Sequence, residues 1–254
     1  MFLNSVKTLL IFCFFSGFAY SAVVVEGTRI IFDGGKKEQV ARINNKDETM
    51  PALIQVWVDD GIDVNNINNP KIPFIITPPI TRIEPGKGQS IRIVYNGMTL
   101  PQDKESAFYF NVLEIPQESE ASKSAAQRLD VAFKTRIKLF YRPESLRKSS
   151  VSDETGKIKW SVVDVPGKGT GLKAENPSPL YISVAAVNTK INGKEVVLDG
   201  DMIPPMSSAV YTQTGDSQKL SGTISEFTFV ILNDFGGQVA TKVVKSGAGF
   251  AVAK

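Results

Sequence analysis

Short β-rich runs follow one another along almost the whole chain, and this succession constrains the fold more than any other feature. Each run is rich in β-branched and aromatic residues, and Gly, Pro or Asn residues separate it from the next. Such spacing, without a long amphipathic helix, is typical of an all-β chain built as immunoglobulin-like sandwiches. In the first half of the chain, strands are predicted to start at Val23, Thr28, Gln39, Leu53, Phe74, Ser90 and Phe108. In the second half, they are predicted to start at Ile158, Gly171, Tyr181, Ala209, Thr223 and Gln238.

The longest run closes the first half of the chain. The segment Arg128–Tyr141 has the sequence RLDVAFKTRIKLFY and predicts one strand of fourteen residues. Leu129, Val131 and Phe133 alternate with polar and small residues, so one face of this strand is apolar. A usual strand has about five or six residues, and we therefore expect part of this one to project beyond its sandwich. The polar, small-residue segment 117–127 before it predicts a loop.

A polar segment poor in aromatic residues follows Pro143 and predicts a hinge between two domains. The expected boundaries are 22–143 for the first immunoglobulin-like domain and 149–254 for the second. Without its leader the chain has about 230 residues, a length that suits two domains of about 110 residues each.

The first residues indicate a leader that is removed on export. A charged start, a short apolar run and a small-residue pattern over residues 1–21 are typical of a secretory signal peptide. Cleavage after Ser21 places Ala19 and Ser21 at the two small-residue positions, and cleavage after Ala22 is the alternative, disfavoured by Tyr20. The apolar run is too short to span a bilayer, and no later segment is apolar for long enough.

Composition excludes several kinds of chemistry. The single cysteine, Cys13, lies in the predicted leader, so the mature chain cannot form a disulfide within itself. The chain has no histidine, which excludes Ser-His-Asp and Cys-His nucleophilic sites and histidine-ligated metals. The 29 basic residues exceed the 26 acidic ones by too little to indicate a nucleic-acid partner. No cofactor or metal is expected.

Three segments together carry a resemblance to a known family. They are KLFYRP at Lys138–Pro143, FIITPPITRIEPG at Phe74–Gly86 and LPQDKESAFYFNVLEIP at Leu100–Pro116. Weaker matches are TRIIFDG from Thr28, ENPSPLY from Glu175 and NDFGG from Asn233. In this order and spacing, they resemble the periplasmic pilus chaperones of the bacterial chaperone–usher pathway. The resemblance implies two immunoglobulin-like β-sandwich domains in tandem, set like a boomerang with a cleft between them.

The function that the resemblance implies is donor-strand complementation. Pilus subunits are immunoglobulin-like domains that lack their last strand, and the chaperone lends one of its own. Such a chaperone binds, folds and caps pilus or fimbrial subunits in the periplasm of a Gram-negative bacterium and delivers them to an outer-membrane usher. Leu129, Val131 and Phe133 match the family's donor positions, and we expect all three to be exposed at an edge when no subunit is bound. A homodimer that covers this edge is left open.

The resemblance also assigns charged residues and one proline. Arg29 and Lys138 match the two basic residues that grip the subunit's C-terminal carboxylate in the cleft. Strict alternation places Lys138 on the opposite side of its strand from the donor residues, so the geometry that brings it to the cleft stays open. Further residues match an interdomain ion network and a proline that follows a cis peptide bond in the family. They are Glu105, Arg142 and Asp234 for the network, and Pro78 for the proline.

The short segment before the donor strand and the absence of a disulfide resemble the family's short-loop class. Many members of that class carry a cysteine pair near the C-terminus that this chain lacks, so the pilus system, its subunits and its usher stay open. One alternative is a secreted two-domain immunoglobulin-like adhesin or receptor-type binding protein. A carbohydrate-active β-sandwich using two carboxylates is weaker, because its candidates Asp59, Asp60 and Asp63 occur in a sequence that predicts a solvated loop.

Overall fold

The computed structural model describes residues 23–64, 66–67, 69–116, 131–199, 201–213, 220–247 and 249–253. The predicted leader at 1–21 and the donor residue Leu129 lie outside these ranges. Within them the chain forms two β-sandwiches in sequence, each with its own hydrophobic core. In the same ranges, no helix is long and apolar enough to cross a membrane.

Among the described residues, the first sandwich has nine strands in two sheets. They are β1 (Val23–Val25), β2 (Arg29–Asp33), β3 (Glu38–Asn45), β4 (Ala52–Asp59), β5 (Phe74–Thr77), β6 (Ile80–Ile83), β7 (Gly88–Tyr95), β8 (Ser106–Ile115) and β9 (Lys134–Arg142). One sheet has the order β1-β3-β7-β5 and the other the order β2-β9-β8-β4-β6. Alternate residues of both sheets point inward, and Phe32, Ile43, Ile54, Ile91 and Phe110 are fully buried between them.

The described part of the second sandwich also has nine strands. They are β10 (Lys159–Val165), β11 (Gly169–Asn176), β12 (Ile182–Ile191), β13 (Lys194–Leu198), β14 (Met202–Ile203), β15 (Ser207–Tyr211), β16 (Glu226–Leu232), β17 (Gln238–Ser246) and β18 (Gly249–Val252). A sheet of order β10-β11-β15 faces one of order β13-β12-β16-β17-β18, and β14 pairs with β12. Trp160 lies at the centre of this core, with its ring against Tyr211, Phe227 and Phe229.

The two sandwiches are joined by a short helical connection. A 3-10 turn at Glu144–Leu146 follows β9, then the helix α1 (Val151–Glu154) and a second 3-10 turn at Thr155–Lys157. Ser150 caps α1, since its hydroxyl accepts from the Asp153 amide at 3.3 Å. The prediction of tandem immunoglobulin-like sandwiches is confirmed.

The strand predictions hold within three residues at every start except that of β9. Four short strands were not predicted, namely β6, β13, β14 and β18. Strand β6 lies between Pro79 and Pro85, β13 begins with two charged residues and β18 begins with glycine. These residues weaken the sequence pattern that predicts a strand. The segments form strands nonetheless, because they pair with longer neighbouring strands.

The prediction that the long strand includes residues 131–133 is wrong, and its predicted start at Arg128 lies outside the described residues. Strand β9 begins at Lys134, and the residues 131–133 before it have no strand pairing. Strand β8 continues to Ile115, but its last contact with this segment is the Glu114 amide, which donates to the Phe133 carbonyl at 2.9 Å. On the other side, β2 begins only at Arg29, opposite Lys138.

Candidate functional site

The N-terminal half of β9 is an open sheet edge. Strand β8 pairs with β9 from Tyr141 back to Lys134, whereas β2 pairs with it only from Lys138 onward. Among the described residues, no strand therefore lies beside the segment from Lys134 to Ile137 on that side. Because the Glu114 amide donates to Phe133, antiparallel alternation directs the backbone N–H and C=O groups of Lys134 and Arg136 to the open side. Such a row is a template for another strand.

A row of apolar side chains leads from the core to this edge. Tyr141 and Leu139 are buried in the first core, and Ile137 packs against it half-buried. Before the strand, Phe133 is 52% exposed and Val131 is 56% exposed. Two of the three predicted donor residues are thus exposed beside unpaired backbone, and the third is outside the described residues.

The predicted carboxylate-binding residues Arg29 and Lys138 are neighbours in the sheet. They are paired in register on β2 and β9, and the second sandwich covers them. The Ser183 hydroxyl on β12 lies 3.5 Å from both Arg29 Nη1 and Lys138 Nζ. Arg29 Nη1 also donates to the Leu232 carbonyl at 3.1 Å.

This arrangement answers how Lys138 reaches the cleft. The pairing of β9 with β8 and β2 runs without a register shift, so the alternation is unbroken. Even-numbered residues of β9 point to the outer face of the sheet, and the second sandwich packs on that face at the end that carries Lys138. The ring of Phe140, two residues on, packs in a tilted arrangement against the ring of Tyr181 in the second sandwich, with the ring centroids 5.6 Å apart.

Burial makes the two cations receptive to an anion. Burial lowers the pKa of Arg29, and Asp234 and Glu105 oppose that shift without cancelling it. Burial, followed by repulsion from Arg29, lowers the pKa of Lys138. Among the described residues, neither cation forms an ion pair, and Arg29 Nε is buried without a hydrogen-bond partner. A carboxylate between them would relieve repulsion and accept charge-assisted hydrogen bonds.

The three residues predicted to form an ion network are in contact. Arg142, the last residue of β9, donates from Nε to Glu105 at 2.7 Å and from Nη1 and Nη2 to Asp234 at 3.0 and 2.8 Å. The other oxygen of Glu105 accepts from the Tyr181 amide at 2.8 Å. Burial raises the pKa of Glu105, although Arg142 and the Tyr181 amide favour the ionised form. The network therefore joins the end of β9 to two segments of the second sandwich.

A glycine next to the network fixes a close approach between the sandwiches. Gly236, in the β16–β17 turn, has φ of +81°, and a Cβ there would collide with the hydroxyl of Thr28. The neighbouring Phe235 is 95% exposed.

Two other predicted positions are described. The Thr77–Pro78 peptide bond is cis and connects β5 to β6.

The acids of the DDGID segment do not form one solvated loop, since Asp59 is fully buried. That part of the prediction is wrong, because Asp59 ends β4 and pairs with Arg136 at 2.6 Å, 77 residues away in the chain. Within the described ranges, no group of acidic side chains is placed to hold a metal ion.

Sequence reasoning missed Ser183 and Asp59. Ser183 is buried between the two cations, and no local pattern distinguishes it from other serines in β-strands. Asp59 precedes a turn-like sequence that resembles any polar loop. Both residues are identified only by their partners in distant segments.

Comparisons with known proteins cover both sandwiches. A family model described as pili and flagellar-assembly chaperone, PapD N-terminal domain, matches residues 22–147. A second, described as pili assembly chaperone PapD, C-terminal domain, matches residues 153–243. The chain is 38% identical over 246 residues to the probable fimbrial chaperone YadV of Escherichia coli strain K12, a match that covers 94% of this chain and 98% of that relative.

Solved structures of chaperones are also similar to this chain. The crystal structure of a YadV chaperone is similar with a TM-score of 0.71 and 35% identity, covering 88% of this chain and 100% of the other. The SafB chaperone, solved in complex with the SafA pilin of Salmonella enterica, is similar with a TM-score of 0.70 and 25% identity. That match covers 90% of this chain and 99% of the other.

Proposed function

The chain belongs to the PapD-like family of pilus-assembly chaperones, and on that premise we propose that it caps a fimbrial subunit with the open edge of β9. The observation that carries this proposal is that, within the described residues, the open side of Lys134 and Arg136 faces no strand, beside the exposed side chains of Val131 and Phe133. A subunit that lacks its last strand would pair with this backbone and take the alternate side chains, Leu129 included, into its groove.

The burial of apolar side chains favours binding of a subunit at this edge. Burying each of the large apolar donor side chains contributes about 1.5–3 kcal/mol before ordering is subtracted. The edge also supplies main-chain hydrogen bonds, which are the same for any subunit sequence. Affinity would therefore come from features common to all subunits of one pilus, as a general chaperone needs.

Arg29 and Lys138 would bind the C-terminal carboxylate of the subunit. A carboxylate is an anion available at the end of every chain, and two desolvated cations recognise it without reference to the neighbouring side chain. The anchor would also fix the register of strand pairing. A slip by one residue would turn the apolar row of the donor segment away from the groove.

Ser183 extends this anchor to the second sandwich. Its hydroxyl accepts from both cations when no anion is present and can donate to a carboxylate that arrives between them. The interdomain network of Glu105, Arg142 and Asp234 would hold Ser183 at the correct distance. Recognition would thus depend on the angle between the sandwiches.

The proposed location is the periplasm of a Gram-negative bacterium, reached through cleavage of the leader at 1–21, with delivery of the capped subunit to an outer-membrane usher. The proposed role is binding without catalysis. Family membership and the two exposed donor residues support this role over that of a secreted adhesin.

Co-purification from the periplasm tests the proposal. A fimbrial subunit is expressed with the wild-type chain, and we expect a one-to-one complex. Arg29→Ala and Lys138→Ala should each abolish recovery of the subunit, because one cation alone binds the carboxylate too weakly, and both variants should keep a nearly unchanged thermal melt. Arg82→Ala is the control, because Arg82 on β6 forms an exposed ion pair with Glu84, which follows the strand. Retained subunit in both cleft variants would refute the proposal.

A further inference from the structure

A buried carboxylate lies on the outer face of the five-stranded sheet, outside the site described above. Asp59, the last residue of β4, is 0% exposed. It accepts hydrogen bonds from Arg136 Nη2 at 2.6 Å, Arg136 Nε at 3.2 Å, Asn111 Nδ2 at 2.7 Å and the Gly61 amide at 2.7 Å. An ionised carboxylate at such depth requires this degree of compensation.

The partners of Asp59 belong to adjacent strands that lead to the open edge. Asn111 is on β8 and is paired in register with Arg136 on β9. The Asp59–Asn111–Arg136 ladder therefore runs across β4, β8 and β9 on one face of the sheet. The guanidinium carbon of Arg136 also lies 3.5 Å from the ring centroid of Tyr109, which is paired in register with Asp59.

The side chain of Lys134, the other outward-facing residue at the open edge of β9, extends in the same direction as that of Arg136. Lys134 Nζ lies 4.8 Å from the ring centroid of Trp57 on β4 and donates to the Val64 carbonyl at 3.4 Å. Both even-numbered side chains of the segment thus reach back over β8 to β4 and the loop after it.

An edge strand with pairing on one side only opens locally more easily than a strand inside a sheet. If it frayed, a partner strand would have to order it again, and this ordering would subtract from the affinity. We propose that the Asp59–Asn111–Arg136 ladder is a positioning device that holds the open edge of β9 extended and in register for an incoming subunit strand. This inference rests on the proposed function, because the ladder acts on the segment that would receive the subunit.

The position of the ladder fits this role. It acts on the face of β9 opposite to the donor side chains, so it would leave Val131 and Phe133 free for a groove. It also leaves the unpaired backbone groups of Lys134 and Arg136 free, since only their side chains are engaged.

Asp59→Asn is the most specific perturbation. The amide has nearly the same shape but loses the charge, and its NH₂ group would face a donor of Arg136 or Asn111. Glu38→Gln is the control for the loss of a paired carboxylate charge alone, because Glu38 forms an exposed ion pair with Arg92 across two strands of the other sheet. Arg136→Lys is the second variant, which keeps a cation but lacks the planar fork.

The first measurement needs no subunit. Amide hydrogen exchange of the free chain is followed at Thr135 and Ile137, whose N–H groups point to β8 by the same alternation. Asp59→Asn should accelerate exchange at these two amides by about tenfold or more, which corresponds to the loss of a charge-assisted bond. The core strand β7 should be unaffected. Equal acceleration in β7 would mean general destabilisation and would overturn the inference.

The second measurement uses a purified fimbrial subunit and its dissociation constant. Asp59→Asn and Arg136→Lys should weaken binding by about tenfold, whereas Glu38→Gln should not. Unchanged binding, or an equal change in the control, would overturn the ladder's role; if Asp59→Asn does not fold, Arg136→Lys decides. Arg29→Ala serves as the reference for the proposed function itself. That function is refuted if the wild-type chain does not bind the subunit, or if Arg29→Ala leaves binding unaffected.

Discussion

Arg142→Met should uncouple the two sandwiches, and the structure sets the magnitude. Arg142 is the only cation within hydrogen-bond distance of Glu105 among the described residues, and Glu105 is 3% exposed. Methionine fills much of the same volume but leaves two carboxylates facing each other. Removing one partner of a buried ion pair destabilises by about 3–5 kcal/mol. Asp234 is more exposed and can be hydrated, so most of the loss falls on Glu105.

The loss should depend on pH in a defined direction. The pKa of Glu105 is already raised in the folded chain, with burial as the largest cause, and removal of Arg142 would raise it further. A carboxyl whose folded pKa exceeds its unfolded pKa destabilises the fold once pH rises through the folded value. Arg142→Met should therefore be less harmful near pH 5 than near pH 8.

The chain offers a direct assay, because each sandwich contains one of its two tryptophans, Trp57 and Trp160. Urea unfolding is followed by fluorescence in a Trp57→Phe and in a Trp160→Phe background, each with and without Arg142→Met. We expect lower midpoints and two transitions that move apart. Arg82→Met removes an exposed ion pair and should shift stability by less than about 1 kcal/mol. If Arg142→Met behaves like this control, the network does not couple the sandwiches.

Three further predictions concern subunit binding. Phe133→Ser should strongly weaken subunit binding in a pull-down while leaving the thermal melt unchanged. Phe235→Ser, at a more exposed phenylalanine outside the open edge, should leave binding intact. The reverse pattern would contradict the assignment of Phe133 as a donor residue. Because burial lowers the pKa of Lys138 and only the ammonium holds a carboxylate, titration calorimetry should show affinity falling as pH rises, before the ordinary lysine value of about 10.4 is reached. Lys138→Arg should remove this dependence, and an unchanged pH profile would count against a buried lysine anchor. Ser183→Ala should weaken binding by about tenfold or more through one lost hydrogen bond to a charged group, and an unaffected dissociation constant would exclude the hydroxyl from the site.

The architecture could be predicted from sequence because it depends on local signals. Alternation and turn residues mark most strands of both sandwiches. The apolar residues that these strands bury follow the period of two, on the face that points to the core. The start of β9 could not be predicted in this way. Residues 131–133 continue the same alternation as the strand, and only the pairing with β8, whose last contact is with Phe133, shows where the strand begins.

The charged residues illustrate the same distinction. Arg29, Lys138, Glu105, Arg142 and Asp234 were named through resemblance, and no spacing in the chain would have placed them together. Their proximity results from tertiary structure alone, because the second sandwich packs on the outer face of the sheet that carries β2 and β9. The role of each in binding stays a prediction.

Buried polar residues were the least predictable group. Asp59 occurs in a sequence typical of a solvated loop, yet it ends a strand under a loop that covers it. Its cation is 77 residues away, so neither periodicity nor composition could associate the two. Ser183 became a candidate only when both of its cationic neighbours were located.

Site-specific photo-crosslinking tests the central claim most directly. Since the only cysteine, Cys13, lies in the predicted leader, the mature chain accepts a single engineered cysteine that carries a benzophenone label. Val131→Cys is placed at a valine that is 56% exposed, and Val210→Cys is the control at one that is 51% exposed on β15. If the edge at β9 caps the subunit, a co-expressed fimbrial subunit is cross-linked from position 131 and not from position 210. Cross-linking from position 210 alone would contradict this claim.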